Sequence, residues 1–221
     1  MTTPTITSIA PLLDRLFDEA EAASAALRAA FAGLSDAERT RMMQSKTDYR
    51  DLYGRLKDTP LAVSRETGTL LYMLARSSRA RTIVEFGTSF GISTLHLAAG
   101  LRENGGGRLI TSEFEPSKVA RARENLTAGG LLDLVEIREG DALKTLSTDL
   151  PDPIDLVLLD GAKALYPEIL DLVEGRLRPG AIIVADNADF SPDYLARVRT
   201  PGNGYMSTPF AEDVELSVRI N

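Results

Sequence analysis

The sequence predicts an α/β fold: a doubly wound, mostly parallel sheet with helices before it and an antiparallel strand pair after it. Three observations predict this. After Arg81, short apolar segments alternate regularly with helical segments, the pattern that right-handed crossovers and a parallel sheet require. The segment around Ile154–Leu159 is almost continuously apolar, as a strand covered on both faces must be. The 221 residues suffice for one large domain with a full core and are few for two.

The elements follow in order. Residues 1–78 read as accessory helices belonging to the same domain, and residues 79–221 as the core. Ile9–Phe31 is rich in Ala, Leu and Glu with apolar positions at helical spacing. Ser35 opens a capping-box pattern with Glu38. A helix follows Pro60, with Leu70, Leu71 and Leu74 as its expected buried side. The predicted strands are Thr82–Phe86, Arg108–Glu113, Leu134–Glu139, Ile154–Asp160 and Ala181–Asp186. Helices are expected at Ser93–Arg102, Pro116–Ala128 and Leu165–Leu177. The tail predicts a strand pair, Tyr205–Thr208 with Val214–Ile220, turning near Ala211–Asp213.

Composition removes several function classes. A net charge of −7 argues against a nucleic-acid partner, which needs a basic face to displace counterions. With no cysteine, thiolate metal sites and cysteine nucleophiles are impossible. One histidine, His96, cannot form a His-ligand cluster and is expected to be a packed helix residue. Any metal must then be held by oxygens, which points to a hard cation such as magnesium. No apolar run approaches membrane-spanning length, and the first ten residues lack a basic region followed by an apolar stretch. The expectation is a cytoplasmic protein without membrane association.

In an open parallel sheet, ligands sit beyond the carboxyl ends of the strands. The first predicted strand ends in V-E-F-G-T-S-F-G-I-S-T, Val84 to Thr94. Gly87 and Gly91 permit a tight turn and close backbone approach, and the next helix starts there with free amides. The G-x-x-x-G spacing differs from the G-x-G-x-x-G of dinucleotide binders, which weakens a dehydrogenase reading. Taken alone, the turn is equally a plain strand-to-helix connection. Glu113 tips the second strand, where a carboxylate can accept hydrogen bonds from a ribose diol. Glu115 fits a helix-capping acid instead. The third strand ends at Gly140–Ala142, where the main chain can lie against an adenine edge.

These motifs together resemble the class I methyltransferases that bind S-adenosylmethionine, and more narrowly the catechol and caffeoyl-CoA O-methyltransferase family. The resemblance runs from about Pro60 to the C-terminus through P-L-A-V-S-R-E-T-G-T-L-L, E-F-G-T-S-F-G-I-S and I-T-S-E. It implies a Rossmann-like methyltransferase fold and S-adenosylmethionine as cofactor. It places Val63, Glu85, Gly87, Thr88 and Ser93 around the methionine part, Glu113 on the ribose, and Ala142 with Asp141 by the adenine. It also implies a homodimer, because family members are often dimers and amphipathic helices offer apolar faces.

The fourth strand ends in L-L-D-G-A-K and the fifth in V-A-D-N. Neighbouring parallel strands bring Asp160, Asp186 and Asn187 to one rim, an all-oxygen set suited to Mg2+ or another divalent cation. The family holds its metal with an Asp, a second Asp and an Asn at the matching positions. Lys163 matches the family's proposed catalytic lysine, and Asp160 would serve both metal and cofactor. A nearby cation and desolvation would make the lysine a better base. Ala162 stands where many relatives carry a second acid, and no counterpart is evident for the acid that grips catechol. The expected activity is metal-dependent methyl transfer to a hydroxyl of a small catechol-like or natural-product acceptor. Two rival readings remain: a metal-independent small-molecule methyltransferase, and a non-catalytic S-adenosylmethionine-binding protein.

Overall fold

The computed structural model describes residues 3–47, 49–211 and 213–221. Helices occupy the front of the chain: α1 (Thr5–Ser8), α2 (Ala10–Phe31), α3 (Asp36–Met43), α4 (Tyr49–Arg55) and α5 (Arg65–Ser77). The Ser35–Glu38 capping box is present at the start of α3. Then come β1 (Thr82–Phe86), α6 (Ile92–Glu103), β2 (Arg108–Glu113), α7 (Pro116–Ala128), β3 (Val135–Glu139), α8 (Ala142–Thr145) and β4 (Ile154–Leu159). The chain closes with α9 (Tyr166–Val173), β5 (Leu177–Ala185), α10 (Pro192–Arg199), β6 (Tyr205–Phe210) and β7 (Val214–Arg219).

The seven strands form one sheet in the order β3-β2-β1-β4-β5-β7-β6. β1 to β5 are mutually parallel, and β7 runs antiparallel to both β5 and β6. The order reverses between β1 and β4, which is where a doubly wound sheet opens a crevice. Leu156, Val157, Leu158 and Leu159 of β4 are fully buried. Their side chains alternate between two apolar cores, Leu156 and Leu158 on one face, Val157 and Leu159 on the other. The uninterrupted apolar run therefore reflects a central strand with both faces covered.

Three expectations need adjustment. β5 begins at Leu177 rather than Ala181. The strand carries Pro179 and Gly180 as an exposed irregularity where the register against β4 shifts. The helix predicted to end at Leu177 stops as α9 at Val173 and continues only as a 3-10 turn. The buried side of α5 is Thr67, Gly68, Leu71 and Ala75, with Leu70 and Leu74 only half-buried. Close packing on α6 is the reason. A Cβ at Gly68 would lie 2.7 Å from the His96 ring, and one at Gly100 would lie 2.7 Å from the Ala75 Cβ. Small residues let the helices meet nearly backbone to backbone. His96 is itself buried in this contact, its Nδ1 2.9 Å from the Ile92 carbonyl oxygen.

The expected strand pair at the tail is present, with Tyr205 paired to Arg219 and Phe210 to Val214. Of its predicted turn at 211–213, Glu212 lies outside the described residues. Among the described residues, no helix is long and apolar enough to cross a membrane.

Candidate active site

Register brings the strand ends together. Phe86 of β1 lies beside Leu159 of β4, which lies beside Ala185 of β5. The ladder then extends one step further: the Asp160 amide donates to the Phe86 carbonyl at 2.8 Å, and the Asp186 amide to the Leu159 carbonyl at 2.9 Å. Gly87, Asp160 and Asp186 thus emerge side by side. Gly87 has φ +101°, and a Cβ there would sit 2.6 Å from the Asp160 carbonyl oxygen. A side chain at this position would push the two strand tips apart.

Two cavities open at this edge. The first, about 310 Å³, is lined by Gly87, Ser89, Glu113, Asp141, Ala142 and Asp160, with α4 residues forming part of its wall. The Glu113 carboxylate accepts the amides of Ser89 at 2.9 Å and Glu115 at 3.0 Å. Burial pushes its pKa up, and those amides oppose the shift. Asp141 caps α8 through the Leu143 amide at 3.1 Å and pairs with Arg50 at 2.8 Å. Val63, Glu85, Thr88 and Ser93 do not line this cavity; all four are buried. Glu85 is fully buried under the glycine turn, where Ser93 Oγ and Thr94 Oγ1 each donate to it at 2.6 Å. Burial raises its pKa to about 7. The Thr88 hydroxyl pairs with that of Thr111 at 2.5 Å.

The second cavity, about 290 Å³, gathers Asp160, Lys163, Asp186 and Asn187. All four residues singled out for chemistry therefore share one space. Lys163 is buried, with its Nζ 2.9 Å from Asp160 Oδ1. Burial pushes the lysine pKa down, but the Asp160 carboxylate, the Tyr166 and Tyr53 phenols and Asp186 outweigh it and hold the amine well above its usual value. Asp186 is also pushed up, to about 8, by its own burial and by the Asp160 carboxylate beside it. Asn187 adopts the left-handed conformation, φ 49°, which Asn tolerates better than most residues. Its Nδ2 donates to Asp213 Oδ2 at 2.9 Å.

Four contributors were not singled out from the sequence. Tyr53 of α4 and Leu61 line both cavities, together with Asp160. Lys118, buried in the first turn of α7, lines the first cavity near Glu113. Asp213 orients Asn187 from the start of β7. Only the fold brings these residues to the strand tips; the faint signal was Asp213 directly before an apolar strand.

Among the described residues, no group of three His, Cys, Asp or Glu side chains could hold a metal. The set here is two carboxylates and an amide oxygen. Asp186, pushed to about 8 by its burial and by the carboxylate beside it, favours its neutral form here, and a cation between the two acids would favour the ionised one. The donor chemistry fits a hard divalent ion.

Known proteins resemble this chain in sequence and fold. A family described as a methyltransferase domain matches residues 84–188, from β1 past the end of β5. The catechol O-methyltransferase of Sus scrofa is 31% identical over 173 residues, covering 75% of this chain and 91% of that protein. The chain belongs to the catechol O-methyltransferase family. A catechol O-methyltransferase from Niastella koreensis is 38% identical over 130 residues. That match spans 58% of this chain and 58% of the relative's length. Among solved structures, the O-methyltransferase TomG of Streptomyces achromogenes, involved in tomaymycin synthesis and in complex with SAM, aligns with a TM-score of 0.63. It is 26% identical and covers 89% of this chain and 96% of its own.

Proposed function

We propose that the protein is an S-adenosylmethionine-dependent O-methyltransferase acting on a small acceptor with two adjacent hydroxyls, with a divalent cation, Mg2+ by donor chemistry, in its site. One observation carries this reading: Asp160 and Asp186 stand side by side at adjacent strand ends, in a cavity that also holds Asn187 and a buried Lys163. When bound, S-adenosylmethionine supplies an electrophilic methyl group and the cation supplies charge that acidifies a neighbouring hydroxyl.

The chain's own residues do the rest. Glu113 takes the ribose hydroxyls, while Asp141 and Ala142 flank the adenine. Gly87 lets the backbone approach the methionine part, and Val63, Glu85, Thr88 and Ser93 shape that turn from its buried side. Asp160, Asp186 and Asn187 hold the cation, and Asp213 fixes the Asn187 amide. Lys163 Nζ takes the proton of the attacking hydroxyl. With Asp160 uncompensated, the lysine is held protonated. With that carboxylate engaged by a cation, the largest influence opposing burial would be offset, and burial would lower the amine toward a useful base. Juxtaposing the acceptor oxygen with the methyl donor accounts for much of the remaining acceleration.

The Lys163–Asp160 ion pair favours one rival, in which the lysine alone balances the acid and no metal is needed. Methyl transfer from labelled cofactor to a catechol, with Mg2+ or with excess chelator, separates the two. The proposal expects chelation to abolish turnover and Lys163→Met to lower kcat by about 100-fold or more, with cofactor binding by calorimetry retained in both. Full turnover under chelation would reject the metal, and wild-type turnover by the lysine variant would reject the base.

A further inference from the structure

The second cavity draws its walls from two parts of the chain with different chemistry. Its charged and amide groups, Asp160, Lys163, Asp186 and Asn187, all come from the strand tips. Its other described lining comes from residues 20–62, including Met43, Tyr53, Leu56, Pro60, Leu61 and Ala62. None of the described lining residues from that stretch is charged. Leu56 and Pro60 are buried, and Met43, Tyr53 and Leu61 are half-buried. The exposed Arg28 donates to the hydroxyl of Ser24, a lining residue, at 3.1 Å and does not itself line the cavity. This second wall lies wholly outside residues 84–188, the stretch that matches the methyltransferase domain.

We infer that the acceptor is a vicinal diol whose ring substituent is uncharged and apolar, and that residues 20–62 enforce this choice. The inference rests on the methyl-transfer reading above. The strand-tip groups are committed to the two hydroxyls. A carboxylate or ammonium on the substituent would leave water for a wall of thioether, aliphatic and phenol surface with one serine hydroxyl, where none of the described lining residues of this stretch supplies an opposite charge. An unpaired buried charge is strongly disfavoured, whereas an alkyl group gains by leaving water. Tyr53 and Leu61 belong to both cavities, so the same residues that meet the acceptor ring also border the cofactor space.

The test uses three catechols whose substituents are similar in size and differ at their ends: propylcatechol, dopamine and dihydroxyphenylacetate. Two quantities are read for each, kcat/KM with Mg2+ and S-adenosylmethionine, and calorimetric affinity for the enzyme loaded with Mg2+ and S-adenosylhomocysteine. Propylcatechol is expected to exceed each charged acceptor by about 30-fold or more in both. The variant Met43→Arg, at a half-buried position, is expected to raise the ratio of dihydroxyphenylacetate to propylcatechol by about tenfold. A charged acceptor equal to propylcatechol would overturn the inference while leaving the methyltransferase reading intact. An unchanged ratio in a folded Met43→Arg protein would overturn the role of this wall. Failure of all three to bind or turn over would overturn the activity itself, and the inference with it.

Discussion

Asp186 and Glu85 are both buried acids with raised pKa values, at about 8 and about 7, but they face different needs. Asp186 opens onto a cavity beside a second carboxylate, so a cation can relieve its charge. Glu85 is sealed under the glycine turn and answered by hydroxyl donors alone among the described residues, from Ser93, Thr94 and Thr111. Its cost must therefore appear in stability. The folded protein keeps the Glu85 proton up to about pH 7, while the unfolded chain loses it near the ordinary value of 4.5. Between those values the folded state binds more protons, so stability falls as pH rises. Relative to Glu85→Gln, the wild type should lose roughly 3 kcal/mol across that window, read from urea unfolding. Parallel stability profiles for the two proteins would show that Glu85 is ionised in the folded state.

At the scale of elements, the contact of α5 with α6 fixes where the accessory helices sit against the sheet. It depends on Gly68 and Gly100, each of which leaves no room for a methyl group. Gly68→Ala should cost about 1–3 kcal/mol by overpacking against the His96 ring. His96→Ala in the same chain should recover part of that loss, because the clash is with one side chain. Simple additivity in chemical denaturation would mean that the two residues do not meet. The periodicity around Leu70, Leu71 and Leu74 was legible as a helix, but not which side faces inward. That side is chosen by the close approach of α6, a partner on which local pattern is silent. β5 shows the complementary case: Pro179 and Gly180 look like a boundary, and a neighbouring strand nonetheless carries the ladder past them.

Across the whole molecule, α4 spans the junction of the two cavities. Tyr49, Arg50 and Tyr53 line the first, and Tyr53 also lines the second. The Arg50–Asp141 pair ties this helix to the end of β3 from an exposed position, where solvent screens the attraction. Occupancy of the first cavity should therefore steady the helix. Saturating S-adenosylhomocysteine is expected to slow tryptic cleavage after Arg50 and Arg55, both in α4, as mass spectrometry of the fragments would report. Cleavage at these sites that ignores saturating ligand would detach α4 from the cofactor site.

The sequence by itself determined the alternation of strands and helices, the glycine turn, the acids at the strand ends and the exclusion of thiolate or histidine metal chemistry. These are properties of residue type and local period, which neighbours in sequence suffice to express. Tertiary structure decided which strand lies beside which, and so that Asp160 and Asp186 stand together with Lys163 in one cavity. It also decided that Glu85 supports the turn from below, that Asp213 orients Asn187, and that residues from 20–62 wall the space beside the strand tips. Each of these is a meeting of distant segments, fixed by burial of two apolar faces around a single sheet, and no local signal encodes a distance across the fold.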